Sequence, residues 1–366
     1  MHNKFTSLDL KNIRKEFPGV LALDNVSLKA EAGKVHALMG ENGAGKSTLI
    51  KILAGAYTKD EGKILFNGEE KNITSPPDSL NLGIKVVYQE ISLIPEFTVG
   101  ENIFLKKFPI NKFGFINWKN LYEECDNLLK NIGFELDVRD KVANLSISEQ
   151  QIVEIARAIF QNASVVVMDE PTSSLTPKEI EKLFEVIDRL KKNNFAIIYI
   201  THKIDEIFKI ADNVTVLRDG KFISHKKITE TSEENLIQDM VGRKVDQKFE
   251  RPTTSFSETQ MSVSNLSTKK KLSNITFKLH KGEILGFFGL MGAGRTELAK
   301  AIFGYDKILS GEVNIEDRVY KKFNTQTMVE NGLGYVTEDR KGEGIIKDMN
   351  LRENMTLPSM SLFESL

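Results

Sequence analysis

Glycines, a lysine and two hydroxyl residues stand close together in residues 40–48, which read Gly-Glu-Asn-Gly-Ala-Gly-Lys-Ser-Thr. An apolar run, Val35–Met39, precedes them, and a helical pattern follows. Glycines let successive backbone N–H groups turn toward one anion, and a helix N-terminus adds partial positive charge. The pattern therefore predicts a phosphate-binding loop rather than a glycine-rich turn that matches by chance.

In such a loop Lys46 reaches the β- and γ-phosphates of ATP, and the Ser47 hydroxyl is a ligand of Mg²⁺. The sequence thus predicts that the chain binds Mg·ATP. The expected nucleotide contacts are Gly40, Glu41, Asn42, Gly43, Ala44, Gly45, Lys46, Ser47 and Thr48.

Two carboxylates, Asp169 and Glu170, directly follow the apolar run Val165–Met168. Alone, such a pair is often only the end of a strand. In a chain that also has a phosphate loop, Asp169 is expected to anchor Mg²⁺, directly or through water. Glu170 is expected to polarise the attacking water.

His202 lies 32 residues beyond Glu170 and just after another apolar run, Ala196–Ile200. A histidine at a strand end is commonly a structural residue. Because the preceding run predicts the next strand of the same sheet, we interpret His202 as a sensor of the γ-phosphate.

Apolar runs alternate with helical patterns, which predicts an α/β fold with a mainly parallel, doubly wound sheet. A long helical stretch at about 90–163 is interpreted as a subdomain inserted into the α/β core. The expected strands are Val35–Met39, Lys85–Tyr88, Val165–Met168, Ala196–Ile200 and Asn213–Leu217, and the expected helices are Gly45–Ala54, Pro177–Lys192 and Lys203–Ile210.

The chain repeats itself at an offset of 249 residues, which relates Gly33 to Gly282 and Gly40 to Gly289. This period indicates a duplicated domain rather than a solenoid. We predict a first domain at 1–243, a polar linker at 244–260 and part of a second domain at 261–366. Counterparts of residues 145–150, 169–170 and 202 do not occur in the second copy, which is therefore expected to be incomplete.

The composition of the chain disfavours several classes of function. The 366 residues include 50 basic and 51 acidic ones, so a net charge of −1 gives no reason to expect nucleic acid as a partner. A single cysteine, Cys125, precludes an internal disulfide and fits a reducing compartment. The start lacks the apolar core of a signal peptide, and no apolar run reaches the ~18 residues of a membrane span.

The run Leu145-Ser-Ile-Ser-Glu149, 24 residues before Asp169, resembles the signature motif of ATP-binding cassette (ABC) ATPases. Phosphate loop, Gln89, signature, Asp-Glu pair and His202 occur in the order typical of that family. The resemblance implies a sheet with an added antiparallel portion and assigns Gln89 to the catalytic residues and, with Ser47 and Asp169, to the Mg²⁺ ligands. It also places Phe17 where an aromatic ring stacks on adenine; the alternative, a purely structural core position, is the less favoured one.

Longer matches, including Phe17-Pro-Gly-Val and Val336-Thr-Glu-Asp-Arg-Lys-Gly-Glu-Gly, resemble the fused two-cassette ATPases of bacterial monosaccharide importers. These serve ribose, galactose and similar sugars, and related members serve nucleosides. The resemblance implies a peripheral protein on the cytoplasmic face of the cell membrane. Its expected partners are a membrane permease and, indirectly, an extracytoplasmic sugar-binding protein.

Two departures from the family pattern concern the nucleotide sites. Ile147 and Ser148 replace two signature glycines, and side chains there can hinder the approach of Ser146 to a γ-phosphate. In the second copy, the loop from Gly289 to Gly294 continues into Arg295 and Thr296, with arginine in place of the lysine. Arginine is not a neutral replacement at a compact phosphate site. Glu338 replaces the glutamine, so the second site is expected to bind weakly or without hydrolysis.

In ABC ATPases the loop of one copy closes against the signature of the other. The printed sequence lacks a second signature, so we expect Mg·ATP binding at the first site and slow hydrolysis. The alternatives are a soluble ABC ATPase of translation or DNA repair and a non-hydrolytic remnant. The short linker and the lone Cys125 disfavour the first, and intact Lys46, Asp169, Glu170 and His202 disfavour the second.

Overall fold

The apolar runs pair side by side in the computed structural model of the chain, which describes residues 5–89, 91–173, 175–242, 258–269, 271–289 and 292–362. The chain separates into two compact units, Met1–Lys248 and Phe249–Leu366. In the described part of the first unit, ten strands form one sheet in the order β5-β4-β1-β2-β10-β9-β3-β8-β7-β6. These strands are β1 Ser7–Phe17, β2 Val20–Glu31, β3 Val35–Met39, β4 Glu61–Phe66, β5 Glu69–Lys71, β6 Ile84–Val87, β7 Val165–Asp169, β8 Ala196–Ile200, β9 Asn213–Arg218 and β10 Lys221–Lys227.

The sheet has a parallel and an antiparallel part. Strands β9, β3, β8, β7 and β6 are parallel to their neighbours in that order. Strands β1, β2, β4 and β5 are antiparallel. Both the parallel sheet and the antiparallel portion expected from the sequence are therefore confirmed, and each expected strand lies within one residue of the observed bounds.

Helices cover the parallel part and fill the segment between β6 and β7. The segment contains α3, α4 and α5, which confirms an inserted helical region. Five residues of β3 and the first four of β7 are fully buried, as expected for strands covered on both faces. The helices are α1 Lys46–Leu53, α2 Pro76–Asn81, α3 Val99–Ile103, α4 Trp118–Ile132, α5 Ile147–Phe160, α6 Pro177–Lys192, α7 Ile204–Ile210 and α8 Glu233–Val241.

The second unit has its own small core between a sheet and a helix. Its described strands lie in the order β12-β11-β13-β14 and are antiparallel. Leu298 and Ala301 of its first helix pack with Val263 and Val313 of the sheet. The elements are β11 Thr259–Thr268, β12 Ile275–His280, β13 Ile308–Ile315, β14 Arg318–Tyr320, α9 Arg295–Ile302, α10 Thr325–Glu330 and α11 Leu351–Thr356.

The two copies differ where the first has its parallel sheet. Val35 and Met39 of β3 are 0% exposed. Their repeats in the second copy, Ile284 and Phe288, are 97% and 100% exposed and lie in an irregular segment. In the described residues of the second unit no strand pairs with this segment, and Ile284 and Phe288 remain uncovered, whereas Phe287 packs edge-on against Phe277.

Among the described residues, none of the helices has the length and apolar content that crossing a membrane requires.

Candidate functional site

The carboxyl ends of the parallel strands open into a cavity of about 570 Å³ in the first unit. This is where ligands bind in open α/β sheets. Most of the residues expected from the sequence line it, and they come from three separate segments of the chain. Those residues are Asn42, Gly43, Gly45, Lys46, Ser47, Thr48, Gln89, Asp169 and Glu170.

The phosphate loop can form only with glycine at two of its positions. Gly40 has φ +155°, and a Cβ there would lie 2.4 Å from the Leu217 carbonyl oxygen. Gly45 has φ +99°, and its Cβ would lie 2.7 Å from the Leu23 side chain. These glycines let the chain turn between β3 and α1 directly above the sheet. Of the other expected contacts, Glu41 is exposed and Ala44 is buried in the core.

Lys46, the first residue of α1, lies inside the loop. Its Nζ donates hydrogen bonds to the carbonyl oxygens of Gly40, at 2.7 Å, and Glu41, at 3.0 Å. Burial lowers the pKa of Lys46, and the charges of Glu170 and Asp169 oppose that shift. Two backbone carbonyls of the loop therefore hold the ammonium group, which feels the charges of two nearby carboxylates.

Asp169 and Glu170 leave β7 beside the end of β8. The Glu170 N–H donates to the Ile200 carbonyl oxygen at 3.0 Å, and Glu170 has a left-handed φ of 45°. The Glu170 Oε1 lies 3.1 Å from Nδ1 of His202, whose side chain is 56% exposed. Burial, followed by the charge of Glu170, raises the pKa of Asp169, and Lys46 opposes this. The structure thus places Asp169 and Glu170 in the cavity wall, whereas His202 contacts Glu170 without lining the cavity itself.

The cavity also has two walls that the sequence did not indicate. One is the segment Val20–Ala22 at the start of β2, and the other is Asp219–Gly220 in the turn between β9 and β10. An Asp-Gly pair between two strands of alternating hydrophobicity predicts a hairpin turn. Asp219 and Gly220 have the positive φ that such a turn requires, 50° and 75°. That signal predicts the turn but not its place at the mouth of the site.

Phe17 does not line this cavity. It is half-buried at the end of β1, with its ring 5.2 Å from that of Tyr57 in an edge-on arrangement. The Lys15 ammonium lies 5.4 Å from the same ring. The assignment of Phe17 to adenine stacking therefore stays a prediction.

The signature residues lie on a different surface. Leu145 precedes α5, and Ser146 caps it: its hydroxyl accepts from the Glu149 N–H, and the Ser146 N–H donates to Glu149 Oε2 at 2.8 Å. Ser148 donates to Glu179 of α6 at 2.8 Å, and Ile147 is exposed. Ser146, Ser148 and Glu149 border a separate cavity of about 580 Å³, so the first unit does not bring its own signature to its phosphate loop.

The second copy repeats the loop without its surroundings. Gly294 has φ +95° and caps α9, as Gly45 does α1, and residues 290–291 lie outside the described residues. Arg295 borders a small apolar cavity of about 230 Å³. The Thr296 hydroxyl donates to Glu338 at 3.4 Å, and Gly289 ends the irregular segment described above.

A sequence profile of the ABC transporter family matches residues 23–173 and 272–364. The chain belongs to the ABC transporter family. It is therefore a nucleotide-binding ATPase of the ABC type.

Relatives of this ABC ATPase are longer than the chain itself. A ribose/galactose/methyl galactoside import ATP-binding protein of Halalkalibacterium halodurans is 47% identical over 349 residues, 95% of this chain and 67% of the relative. A ribose import ATP-binding protein of Geobacillus kaustophilus is 43% identical over 96% of this chain and 72% of its own length. Both are named as import proteins, so neither translation nor DNA repair is favoured.

Solved structures agree on the fold. The ADP conformation of an ATP-binding cassette of an ABC transporter matches with a TM-score of 0.55, 26% identity, and coverage of 65% of this chain and 99% of that one. A dimeric cassette bound to ADP and Pi in a post-hydrolysis state matches with a TM-score of 0.52 and 26% identity, covering 60% and 98%.

Proposed function

We propose that the chain binds and hydrolyses ATP to drive the import of a monosaccharide, such as ribose or galactose, or of a related nucleoside through a membrane permease. The convergence of Lys46, Ser47, Gln89, Asp169 and Glu170 on one cavity carries this proposal. The sugar importers named among the relatives support the substrate class.

The loop holds the phosphates. N–H groups between Gly40 and Ser47 bind the β- and γ-phosphate oxygens, and the N-terminus of α1 adds partial positive charge. When ATP binds, the Lys46 ammonium replaces its hydrogen bonds to two backbone carbonyls with hydrogen bonds to phosphate oxygens. Those carbonyls keep it positioned before ATP arrives.

The residues around the loop suit Mg²⁺. The Ser47 hydroxyl, the Asp169 carboxylate and the Gln89 amide oxygen line the same cavity and are the hard oxygen ligands that Mg²⁺ prefers. In the described residues no group of three or more acidic, histidine or cysteine side chains is arranged to hold a metal. That agrees with an ion bound jointly by one carboxylate and the phosphates. When bound, Mg²⁺ neutralises charge on the phosphate oxygens.

Glu170 and His202 act on the reacting end of ATP. Glu170 accepts a hydrogen bond from the attacking water and orients it toward the γ-phosphorus. His202 donates a hydrogen bond to a γ-phosphate oxygen, and its contact with Glu170 at 3.1 Å keeps the two groups within reach of one phosphate.

A groove of about 310 Å³ beside the site suits the permease. It lies between β6, α2 and α5, and Lys85 on its floor is 7% exposed. The Lys85 ammonium has no hydrogen-bond or ion-pair partner in the part of the chain that is described. Burial, followed by the charges of Lys107 and Arg157, lowers the pKa of Lys85 to about 8. Leu80 and Tyr88 line the same groove and are exposed. A permease segment with a carboxylate and apolar side chains complements these features.

We therefore expect a peripheral protein on the cytoplasmic face of the membrane. Its permease partner, rather than this chain, receives the sugar from an extracytoplasmic sugar-binding protein. We expect no role for nucleic acid.

The nucleotide site is tested by calorimetry. Lys46→Ala should weaken ATP binding at least tenfold, because one charge-assisted phosphate contact is lost. Equal affinity of the variant and the wild type would count against the site.

The partner is tested by co-purification with a sugar permease in detergent. Lys85→Glu should lose the permease, whereas Lys119→Glu, the same charge change on the exposed face of α4, should retain it. In vesicles the wild-type complex should take up labelled ribose or galactose only with ATP. Retention by both variants, or uptake without ATP, would contradict the proposal.

A further inference from the structure

A carboxylate without an assigned role lies directly beneath the site. Glu206 of α7 is 3% exposed. Its Oε1 accepts a hydrogen bond from the Thr172 hydroxyl at 2.6 Å, and its Oε2 accepts one from the Tyr199 hydroxyl at 2.7 Å. The Thr201 hydroxyl is 3.4 Å from Oε2.

Lys203 completes this cluster. Its Nζ lies 3.2 Å from Glu206 Oε1 and donates to both the carbonyl and the hydroxyl oxygen of Thr172, each at 3.2 Å. Its backbone N–H donates to the Thr201 hydroxyl at 3.0 Å. Three hydroxyls and one ammonium thus surround a single buried carboxylate, which balances its charge and its hydrogen bonds.

The cluster joins two chain segments where their backbone pairing stops. Strands β7 and β8 pair as far as Asp169 and Ile200. On the first segment, Glu170 directly follows Asp169 and Thr172 lies two residues further on. On the second segment, Thr201 and His202 directly follow Ile200. Beyond the last strand pair, Glu206 therefore links the segment that carries Glu170 to the segment that carries His202, beside the Lys203–Thr172 contact and the Glu170–His202 contact.

The Glu170 backbone needs such support. A left-handed φ of 45° is strained for a residue other than glycine, and it persists only where the surroundings hold it. A hydrogen bond from buried Gln151 of α5 to the Pro171 carbonyl oxygen holds this segment from the other side.

We propose that Glu206 is a positioning residue for ATP hydrolysis, which sets the distance between Glu170 and His202 by holding Thr172 and Thr201 to one carboxylate. This rests on the roles proposed above for Glu170 and His202. A glutamine at 206 keeps the shape but turns one end of the group into a donor that faces hydroxyl and ammonium donors. The segments that follow β7 and β8 then shift, and with them Glu170 and His202. Catalysis is sensitive to small displacements of such groups.

The experiment is single-turnover hydrolysis of labelled ATP by the full chain in excess, with nucleotide affinity from calorimetry and the thermal midpoint measured in parallel. Glu206→Gln should lower the hydrolysis rate about tenfold while ATP affinity stays within about twofold. Asp239→Asn is the matched control. Asp239 accepts from Ser224 and Lys226, each at 2.6 Å, and none of the three lines the cavity, so Asp239→Asn should leave the rate unchanged.

A double variant separates positioning from general loosening. Because Glu206 acts through the Glu170–His202 pair, Glu206→Gln added to His202→Ala should cost little beyond His202→Ala alone. The proposal would be overturned if Glu206→Gln lowered the rate by the same factor in the His202→Ala variant as in the wild type. A wild-type rate in folded Glu206→Gln would also overturn it. If Glu206→Gln does not fold, Thr172→Val and Tyr199→Phe decide, since each removes one hydroxyl donor. Normal rates in both would then overturn it.

Failure of the proposed function has a different signature. If Glu170→Gln and His202→Ala both hydrolyse ATP at the wild-type rate, the assigned roles are wrong. If they lose turnover while Glu206→Gln keeps it, only the role of Glu206 is wrong.

Discussion

Glu170 combines two demands that conflict at one residue. Its carboxylate must face the cavity and His202, yet its backbone has a left-handed φ of 45°. For a residue with a Cβ this conformation costs about 1–2 kcal/mol. Function, rather than folding, is therefore the reason for a glutamate at this position.

Replacing Glu170 with glutamine should preserve ATP binding and abolish turnover. The amide keeps the size of the side chain but is a poor acceptor for the proton of water. Calorimetry and phosphate release on the same preparation check this. Retained turnover would exclude Glu170 as the group that orients the water.

Replacing Glu170 with glycine should stabilise the fold while abolishing turnover. Glycine adopts positive φ without strain, so the free energy of unfolding should rise by about 1 kcal/mol, less any loss from greater freedom of the unfolded chain. Urea unfolding followed by the fluorescence of the single tryptophan, Trp118 in the first unit, measures this. Destabilisation by more than about 1 kcal/mol would show that the carboxylate contacts outweigh the strain.

At the scale of elements, the turn from β3 to α1 depends on the strand beside it. Gly40 passes so close to the Leu217 carbonyl of β9 that a Cβ would lie 2.4 Å away. The loop thus packs directly against the β9 backbone, and this contact positions the phosphate site before ATP binds.

Gly40→Ala should destabilise the first unit by about 2–4 kcal/mol and remove measurable ATP binding, because backbone must move to admit the methyl group. Gly68→Ala in the β4–β5 turn is the control. Gly68 also has a positive φ, +82° against +155° at Gly40, but nothing lies within 4 Å of its added Cβ. It should cost only about 1 kcal/mol and leave ATP affinity unchanged. Equal effects of the two substitutions would contradict the close-approach argument.

Strands β3, β9 and β10 also share a buried polar contact. His36 Nε2 lies 2.8 Å from the Thr215 hydroxyl, which is 3.2 Å from Nδ1 of His225. Nδ1 of His36 is buried and has no hydrogen-bond partner in the described residues. Burial, followed by the charge of His225, lowers the pKa of His36 to about 3.

Stability should therefore fall with acidification. The unfolded chain binds a proton at His36 near pH 6.5, whereas the folded protein does so only near pH 3. The contribution of His36 is complete above pH 6.5 and is lost as the pH falls toward 3, by up to about 1.4 kcal/mol per pH unit. His36→Gln should flatten this dependence in urea unfolding at pH 7, 6 and 5. An unchanged slope would assign the acid sensitivity to other groups.

At the scale of the whole molecule, the two units treat equivalent sequence differently. Val87 is 3% exposed in β6, whereas its repeat Val336 is 96% exposed in the second unit. Val336, Ile284 and Phe288 are thus three large apolar side chains of the second unit that are almost fully exposed to water.

That surface should make the isolated chain associate. Replacing Ile284, Phe288 and Val336 together with threonine should reduce binding of a hydrophobic dye and concentration-dependent association in sedimentation. Because all three lie in the second unit, ATP affinity of the first site should not change. As a control, Leu8, Leu10 and Ile13 of the buried first-unit core, replaced by threonine, should instead unfold the first unit. Undiminished association of the triple variant would place the contact elsewhere.

Much of the first unit follows from local sequence. The β3 and β8 bounds are observed as predicted, because apolar runs of five residues between turn signals are too short for a buried helix and favour a buried strand. The phosphate loop is equally local, since its glycines and Lys46 are consecutive. The Asp-Glu pair and His202 were also predictable, because parallel strands all end at the same edge of the sheet.

Only the tertiary structure shows which residues from segments distant in sequence lie at that edge of the sheet. Val20–Ala22 and Asp219–Gly220 line the cavity only because β2 and β10 lie next to each other in the sheet. Glu206 carries no motif, and its contacts with Thr172 and Tyr199 exist only once α7 packs beneath two strand ends. Residues 284–288 repeat the apolar character of β3 yet form no strand, because a strand needs neighbours to satisfy its backbone hydrogen bonds. Local pattern thus determined which chemistry this chain carries, and long-range packing determined where that chemistry is complete.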